Sequence, residues 1–164
     1  MHPAQLPPDE LTKACTERRL RRSGPGGQHR NKVETAVELT HTPTGVAAEA
    51  NERRSQQQNR EVAIGRLRLR LAVEHRTEPA AATSELWRRR TSGGRIAVSP
   101  EHADYPALLA EALDHIAAAE WDEAIAAERL AVSRTQLVKL LMQEPTAIGK
   151  LNDRRAERGF GRLR

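Results

Sequence analysis

Residues 23–32 read S-G-P-G-G-Q-H-R-N-K, and Gly26, Gly27 and Gln28 at their centre govern the reading of everything around them. Two adjacent glycines enter backbone regions closed to other residues and can bring the main chain into contact with another surface. The glutamine amide donates and accepts hydrogen bonds but does not titrate near neutral pH. Gln28 is therefore suited to orienting a water or stabilising an oxyanion, and unsuited to proton abstraction. Arg18, Arg19, Arg21, Arg22, Arg30 and Lys32 flank the glycines, with Glu17 the single acid among residues 17–32. A positive collar of this kind fits a phosphate-rich target.

Outward from this stretch the periodicities change. Asn31 and Glu34 have capping-box spacing, which predicts a short helical turn closing the glycine segment. Residues 36–42 and 46–51 read as paired strands around Thr42, Pro43, Thr44 and Gly45, where proline presets one turn position and glycine supplies positive φ for a type II turn. Ser55 and Gln58 form a second capping box, opening a helix through Asn59, Val62, Ile64, Leu67 and Leu71. Within it, residues 66–71 alternate R-L-R-L-R-L, a strand-like period that leaves this stretch open between helix and strand. Upstream, Pro3, Pro7 and Pro8 mark an extended lead-in, and residues 11–23 read as an opening strand or extended segment.

The ordered set G-G-Q at 26–28, N-K at 31–32, A-V-E-L-T-H-T-P-T-G-V at 36–46 and E-R-R-S-Q-Q-Q-N-R at 52–60 resembles the peptidyl-tRNA hydrolysis domain of class I peptide chain release factors, over residues 11–76. The resemblance implies a small antiparallel sheet covered by a helix, and so favours helix at 66–71. It implies hydrolysis of the ester joining a nascent peptide to tRNA in the ribosomal peptidyl-transferase centre, with Gly26, Gly27 and Gln28 catalytic. In the family the glutamine backbone N–H is thought to stabilise oxyanion charge while its side chain orients water. Arg18, Arg19, Arg21, Arg22, His29, Arg30, Lys32, Arg53, Arg54 and Arg60 then fall where ribosomal RNA would be contacted. Ser55, Gln56 and Asn59 match the family's helix start, where capping suffices to explain them. Pro25 departs from the small residue common at its position and stiffens the approach to the glycines.

Release factors that read stop codons carry a recognition domain ahead of this segment. About ten residues precede the match here, so the expectation is a short, codon-independent member of the ribosome-rescue kind. Such factors sense an empty mRNA channel with a basic tail, a role open to Arg154, Arg155, Arg158, Arg162 and Arg164.

Residues 77–103 hold Pro79, a run of alanines, Gly93, Gly94 and Pro100, and read as a linker with local order around Leu86, Trp87 and 96–98. From Tyr105 the apolar spacing is helical, Pro145 can occupy a first helical turn, and Gly159 can terminate a last helix. Ala127, Leu130, Val132, Leu137 and Leu140 fall on the small and apolar positions of a helix-turn-helix, with a capping box from Ser133 to Gln136. Arg134, Gln136 and Lys139 would then face a nucleic acid, although Ala131 stands where the motif's turn prefers glycine. A plain three- or four-helix bundle fits the same spacing. The fold class expected is α+β: a GGQ domain over 1–76, a linker over 77–103 and a C-terminal helical bundle with a helix-turn-helix-like segment over 104–164.

Composition narrows the partners. The net charge is +5, from 27 Lys and Arg against 22 Asp and Glu, and Trp87, Trp121, Tyr105 and Phe160 are the only aromatics besides histidine. Phosphate contact, and not base stacking, must then dominate RNA binding. Cys15 is the sole cysteine, and the six histidines are scattered, so the sequence argues for no disulfide, no metal and no cofactor. No apolar run suits a signal peptide or a membrane span, and a cytoplasmic monomer is expected. Two other functions remain open: a ribosome- or RNA-binding regulatory module with little hydrolysis, and a DNA-binding regulator using the C-terminal helices.

Overall fold

A computed structural model of the chain describes residues 1–20 and 35–163. The amino terminus is helical and not extended. Pro3 opens one 3-10 turn (Pro3–Gln5), in which the His2 ring accepts from the Ala4 amide and the Gln5 side chain accepts from the His2 amide. Pro8 opens helix α1 (Pro8–Lys13). Both prolines occupy first-turn positions, where a missing N–H costs nothing and φ is already set, so the spacing that suggested an extended lead-in instead starts helices. The expected opening strand begins only after α1, as β1 (Cys15–Leu20).

β1 pairs antiparallel with β2 (Ala36–His41), from Cys15 opposite His41 to Leu20 opposite Ala36, and β2 pairs with β3 (Ala47–Ala50). Val37, Leu39 and His41 alternate onto one buried face with Ala48 and Ala50, as a half-covered antiparallel sheet requires. Helix α2 (Gln56–Glu74) covers that face with Ala63, Ile64, Leu67 and Leu71. Gly45 takes φ +71° as expected, but its amide and that of Thr44 both donate to the His41 carbonyl. The glycine thus closes a turn that starts at His41, and not a type II turn on residues 42–45.

The R-L-R-L-R-L stretch resolves as helix, and its arginines act as ties. Arg66 and Arg70 reach the β3 carbonyls of Glu49 and Ala47, while Arg68, on the opposite flank, donates to the carbonyls of Ala4 and Ala103. Their aliphatic stems cover the apolar seam while the guanidinium groups lock three other segments to α2.

Residues 77–103 carry a helix, α3 (Glu85–Arg90), and a two-stranded hairpin of β4 (Thr91–Ser92) and β5 (Arg95–Ile96). The local order expected around Trp87 is present, with the indole fully buried and donating to the Leu130 carbonyl at 2.9 Å. Helices α4 (Tyr105–Ala118), α5 (Glu123–Arg129), α6 (Arg134–Met142) and α7 (Pro145–Glu157) follow. One apolar core runs from Ala4 through α2 and α4 to Leu151. Asp114 on α4 accepts from Arg76 and from both donors of Thr77, and Glu111 accepts from both donors of Ser84, which pins the chain leaving α2 against α4.

Three of these helices end in the same closure, in which the second residue past the cap donates back to the third-last helical carbonyl: Trp121 to Ile116, Val132 to Ala127 and Phe160 to Arg155. Gly159 serves the last, as expected, at φ +77°, whereas Glu120 and Ala131 hold the same left-handed position at φ 53° and 54°. For a residue with a β-carbon that geometry costs about 1–2 kcal/mol, so the Ala131 turn is strained as the missing glycine implied.

The buried His2 ring gives the fold an acid sensitivity. Its Nδ1 accepts from the Ala4 amide, which leaves the proton on Nε2, 3.2 Å from the His75 carbonyl. Burial foremost pushes its pKa down from 6.5 to about 4, and burial lowers those of His41 and His115 too. The folded state thus refuses a proton that the unfolded state accepts. Stability from His2 is complete above pH 6.5 and is lost as pH falls toward 4. Between pH 6.5 and 5 the loss should reach about 2 kcal/mol from His2 alone. Urea denaturation at several pH values checks this; His2→Asn should flatten the slope, and an unchanged slope would refute the assignment.

Candidate functional site

Gly26, Gly27 and Gln28, with Arg21, Arg22, His29, Arg30, Lys32 and the expected capping box at Asn31, lie outside the described residues. What the structure shows is how their attachment points are held. Leu20 faces Ala36 across the β1–β2 ladder, so residues 21–34 leave and rejoin the sheet at adjacent positions on one end.

The returning side is fixed by Asn59. This side chain is fully buried in the first turns of α2, and its Nδ2 donates to the carbonyls of Thr35 at 2.6 Å and Arg53 at 3.0 Å. Its Oδ1 accepts the Arg53 amide at 2.8 Å. One amide thus saturates its hydrogen bonds by joining the start of β2, the loop after β3 and the helix. The expected capping box is corrected accordingly: Ser55 is at the N-cap position, but its side chain makes no capping bond, and Asn59 is a clamp and not a cap. The sequence did hold a signal. Asn59, Ala63, Leu67 and Leu71 form one i, i+4 stripe, and a lone polar residue in an apolar stripe must find buried partners.

The arginines expected at RNA divide into groups. Arg18, on the uncovered face of the sheet, is 3.7 Å from Glu38 with its side chain 72% exposed. On the α2 side Glu17 accepts from Arg60 at 2.8 Å and lies 3.9 Å from Arg19. Two cations around one acid leave this rim net positive beside the attachment points. Arg53 and Arg54 are exposed on the loop that Asn59 holds. These residues are brought to one end of the sheet.

The C-terminal arginines are elsewhere and unequal. Arg154 is exposed, pairs with Glu157 and lies over the Trp121 ring at 5.8 Å, and Arg158 is 3.2 Å from Glu120. Arg155, expected to meet RNA, is instead buried. It donates to the buried carboxylate of Glu123 and to the Gly161 carbonyl, and it stacks 5.1 Å from the Phe160 ring. Withdrawing it toward a phosphate would break a buried ion pair and leave Glu123 with Arg134 alone. Asn152 also exchanges two hydrogen bonds with Leu163, so the described end of the chain is folded back onto α7.

Among the described residues no group of His, Cys, Asp or Glu has the arrangement of a metal site, and no helix is long and apolar enough to cross a membrane. The lone Cys15 thiol is pushed upward by burial, away from the reactive thiolate.

A helix-covered three-stranded sheet whose first two strands are joined by a glycine- and arginine-rich segment defines the class, and the chain belongs to the RF-1 domain family, whose profile matches residues 6–101. Among individual proteins it is similar to peptide chain release factor 1 of Xylella fastidiosa (strain 9a5c), with 48% identity over 63 residues. That match covers 38% of this chain and 18% of the relative.

Proposed function

We propose that the chain is a codon-independent release factor that hydrolyses the peptidyl-tRNA ester in the ribosomal peptidyl-transferase centre, in rescue of stalled ribosomes in the cytoplasm. The observation that carries this reading is the Gly26-Gly27-Gln28 sequence between strand ends that face each other, in a chain of the RF-1 domain family. Water adds to the ester carbonyl carbon, the acyl–oxygen bond breaks, and the peptide leaves as an acid while tRNA recovers its hydroxyl. Gln28 places that water and stabilises the oxyanion, and the two glycines let the backbone approach. Arg18, Arg19, Arg21, Arg22, Arg30, Lys32, Arg53, Arg54 and Arg60 neutralise large-subunit RNA around it, with His29 as an RNA contact. Residues 1–76 carry this chemistry, and Arg154, Arg158 and Arg162 on the C-terminal helical part, with Arg164 after them, are the cations left for the mRNA channel.

The test is release of labelled formyl-methionine from ribosomes holding initiator tRNA, on mRNA that ends at the P site, continues with a sense codon, or continues with a stop codon. Release favouring the truncated message is expected. Gln28→Ala should slow it by about 10²-fold or more, as loss of one transition-state donor does, with ribosome binding retained. Equal release on all three messages would leave hydrolysis and remove channel sensing. No release with binding intact would make the chain an RNA-binding module.

A further inference from the structure

Far along the chain from residues 18–60, a second set of cations is held on a rigid support. The turn joining α5 to α6 is gripped from two sides: Trp87 of α3 donates to the Leu130 carbonyl at 2.9 Å, and the Ser133 amide donates to the Gly94 carbonyl of the β4–β5 hairpin at 2.8 Å. Gly94 holds φ +73°, a conformation that favours glycine, at the residue whose carbonyl takes the Ser133 amide. Arg89 at the end of α3 and Arg95 on the hairpin are therefore held near α6, whose first residue Arg134 and last-turn residue Lys139 are exposed, while Arg88, also exposed, donates back to the Thr83 carbonyl.

The acids of these elements do not cancel this charge. Glu123 is buried and shared by Arg134 and Arg155, so that cluster keeps a net positive charge. Glu85 lies one helical turn before Arg88 and Arg89 and offsets one of them, and Glu128 is on α5, so Arg88, Arg89, Arg95, Arg134 and Lys139 still outnumber the exposed acids of these elements. Between the cations the surface is small and polar, with Ser92, Gly93 and Thr135 exposed, which lets a phosphate backbone approach closely. Trp87 is fully buried, so the face offers no platform for stacking unpaired bases.

We propose that the β4–β5 hairpin, the end of α3 and the exposed side of α6 form a binding surface for the phosphate backbone of duplex RNA, distinct from the GGQ end of the chain. The surface does not depend on the hydrolase reading, and Gln28→Ala should leave it unchanged.

The experiment titrates the full chain against a short labelled RNA duplex by fluorescence anisotropy across a salt series. The variant Arg89→Ala/Arg95→Ala/Lys139→Ala is compared with Lys13→Ala/Arg70→Ala/Lys150→Ala, which removes the same charge from elsewhere; circular dichroism confirms that both fold. The first triple should weaken binding about tenfold or more and reduce the slope of log K against log salt by about 2, at roughly 0.7–0.9 per lost phosphate contact. The control should change neither by more than half as much. Equal losses in both triples, or an unchanged slope in the first, would overturn the proposal. So would equal affinity for a DNA duplex or preference for single strands.

Discussion

Asn59→Ala is expected to destabilise the fold by about 3 kcal/mol, read as a lower urea midpoint at unchanged slope. The substitution deletes three hydrogen bonds at a fully buried site and leaves the Thr35 carbonyl and both polar groups of Arg53 without the partner they had. Each stranded group costs about 1–3 kcal/mol, and partial access of water to the loop keeps the total below the sum. Asn59→Asp has nearly the same shape but keeps only the acceptor, turning a carboxylate toward two carbonyls; at pH 7 it should be no better than alanine. A loss under about 1 kcal/mol in both variants would mean that Asn59 does not hold the start of β2.

The second large effect belongs to the C-terminal helices. Glu123 begins α5 and is nearly inaccessible, yet it carries two arginines, one from α6 and one from α7. Glu123→Gln keeps the volume and removes the charge, leaving Arg155 buried without its counter-ion, and should cost about 3–5 kcal/mol in thermal or urea unfolding. Arg134→Ala removes the half-exposed partner and should cost less than about 1 kcal/mol. Replacing both ends of the buried pair, as Glu123→Met with Arg155→Leu, should recover most of the loss, because the desolvation of two charges disappears with their attraction. If Glu123→Gln is as stable as the native chain, the carboxylate is not the hub that joins these three helices.

Much of the α+β fold was legible because its signals are local. Alternation at 36–41 and 47–50, the glycine between them, and the apolar stripe of α2 each depend on a few neighbouring residues. The errors arose where a local signal has two structural uses. Pro3 and Pro8 favour an extended approach and a first helical turn alike, and only the packing of Ala4 and Leu11 into the core decides between them. Ser55 has the residue type of a cap, yet the decisive side chain is four positions later, where its partners come from Thr35 and Arg53. Arg155 looks like its neighbours Arg154 and Arg158 in any charge tally. Its burial depends on where Glu123 arrives from, more than thirty positions upstream, and no periodicity of α7 reports that. The arginines flanking residues 21–34 were readable as a cluster because sequence proximity and strand pairing there coincide.

The pairing of Leu20 with Ala36 also determines where this chain tolerates changes of length. Once β1 and β2 have paired, the two ends of their connection are fixed, and closure entropy grows only slowly with the length of a connection, by about 0.6 kcal/mol per doubling. At the opposite end of the sheet, His41 bonds to Thr44, Gly45 and Val46, so one added residue there would shift β3 by a position and turn Ala48 and Ala50 away from α2. A change of length between Leu20 and Ala36 therefore leaves every pairing of the sheet in register, whereas one between His41 and Ala47 inverts the face that β3 presents to α2.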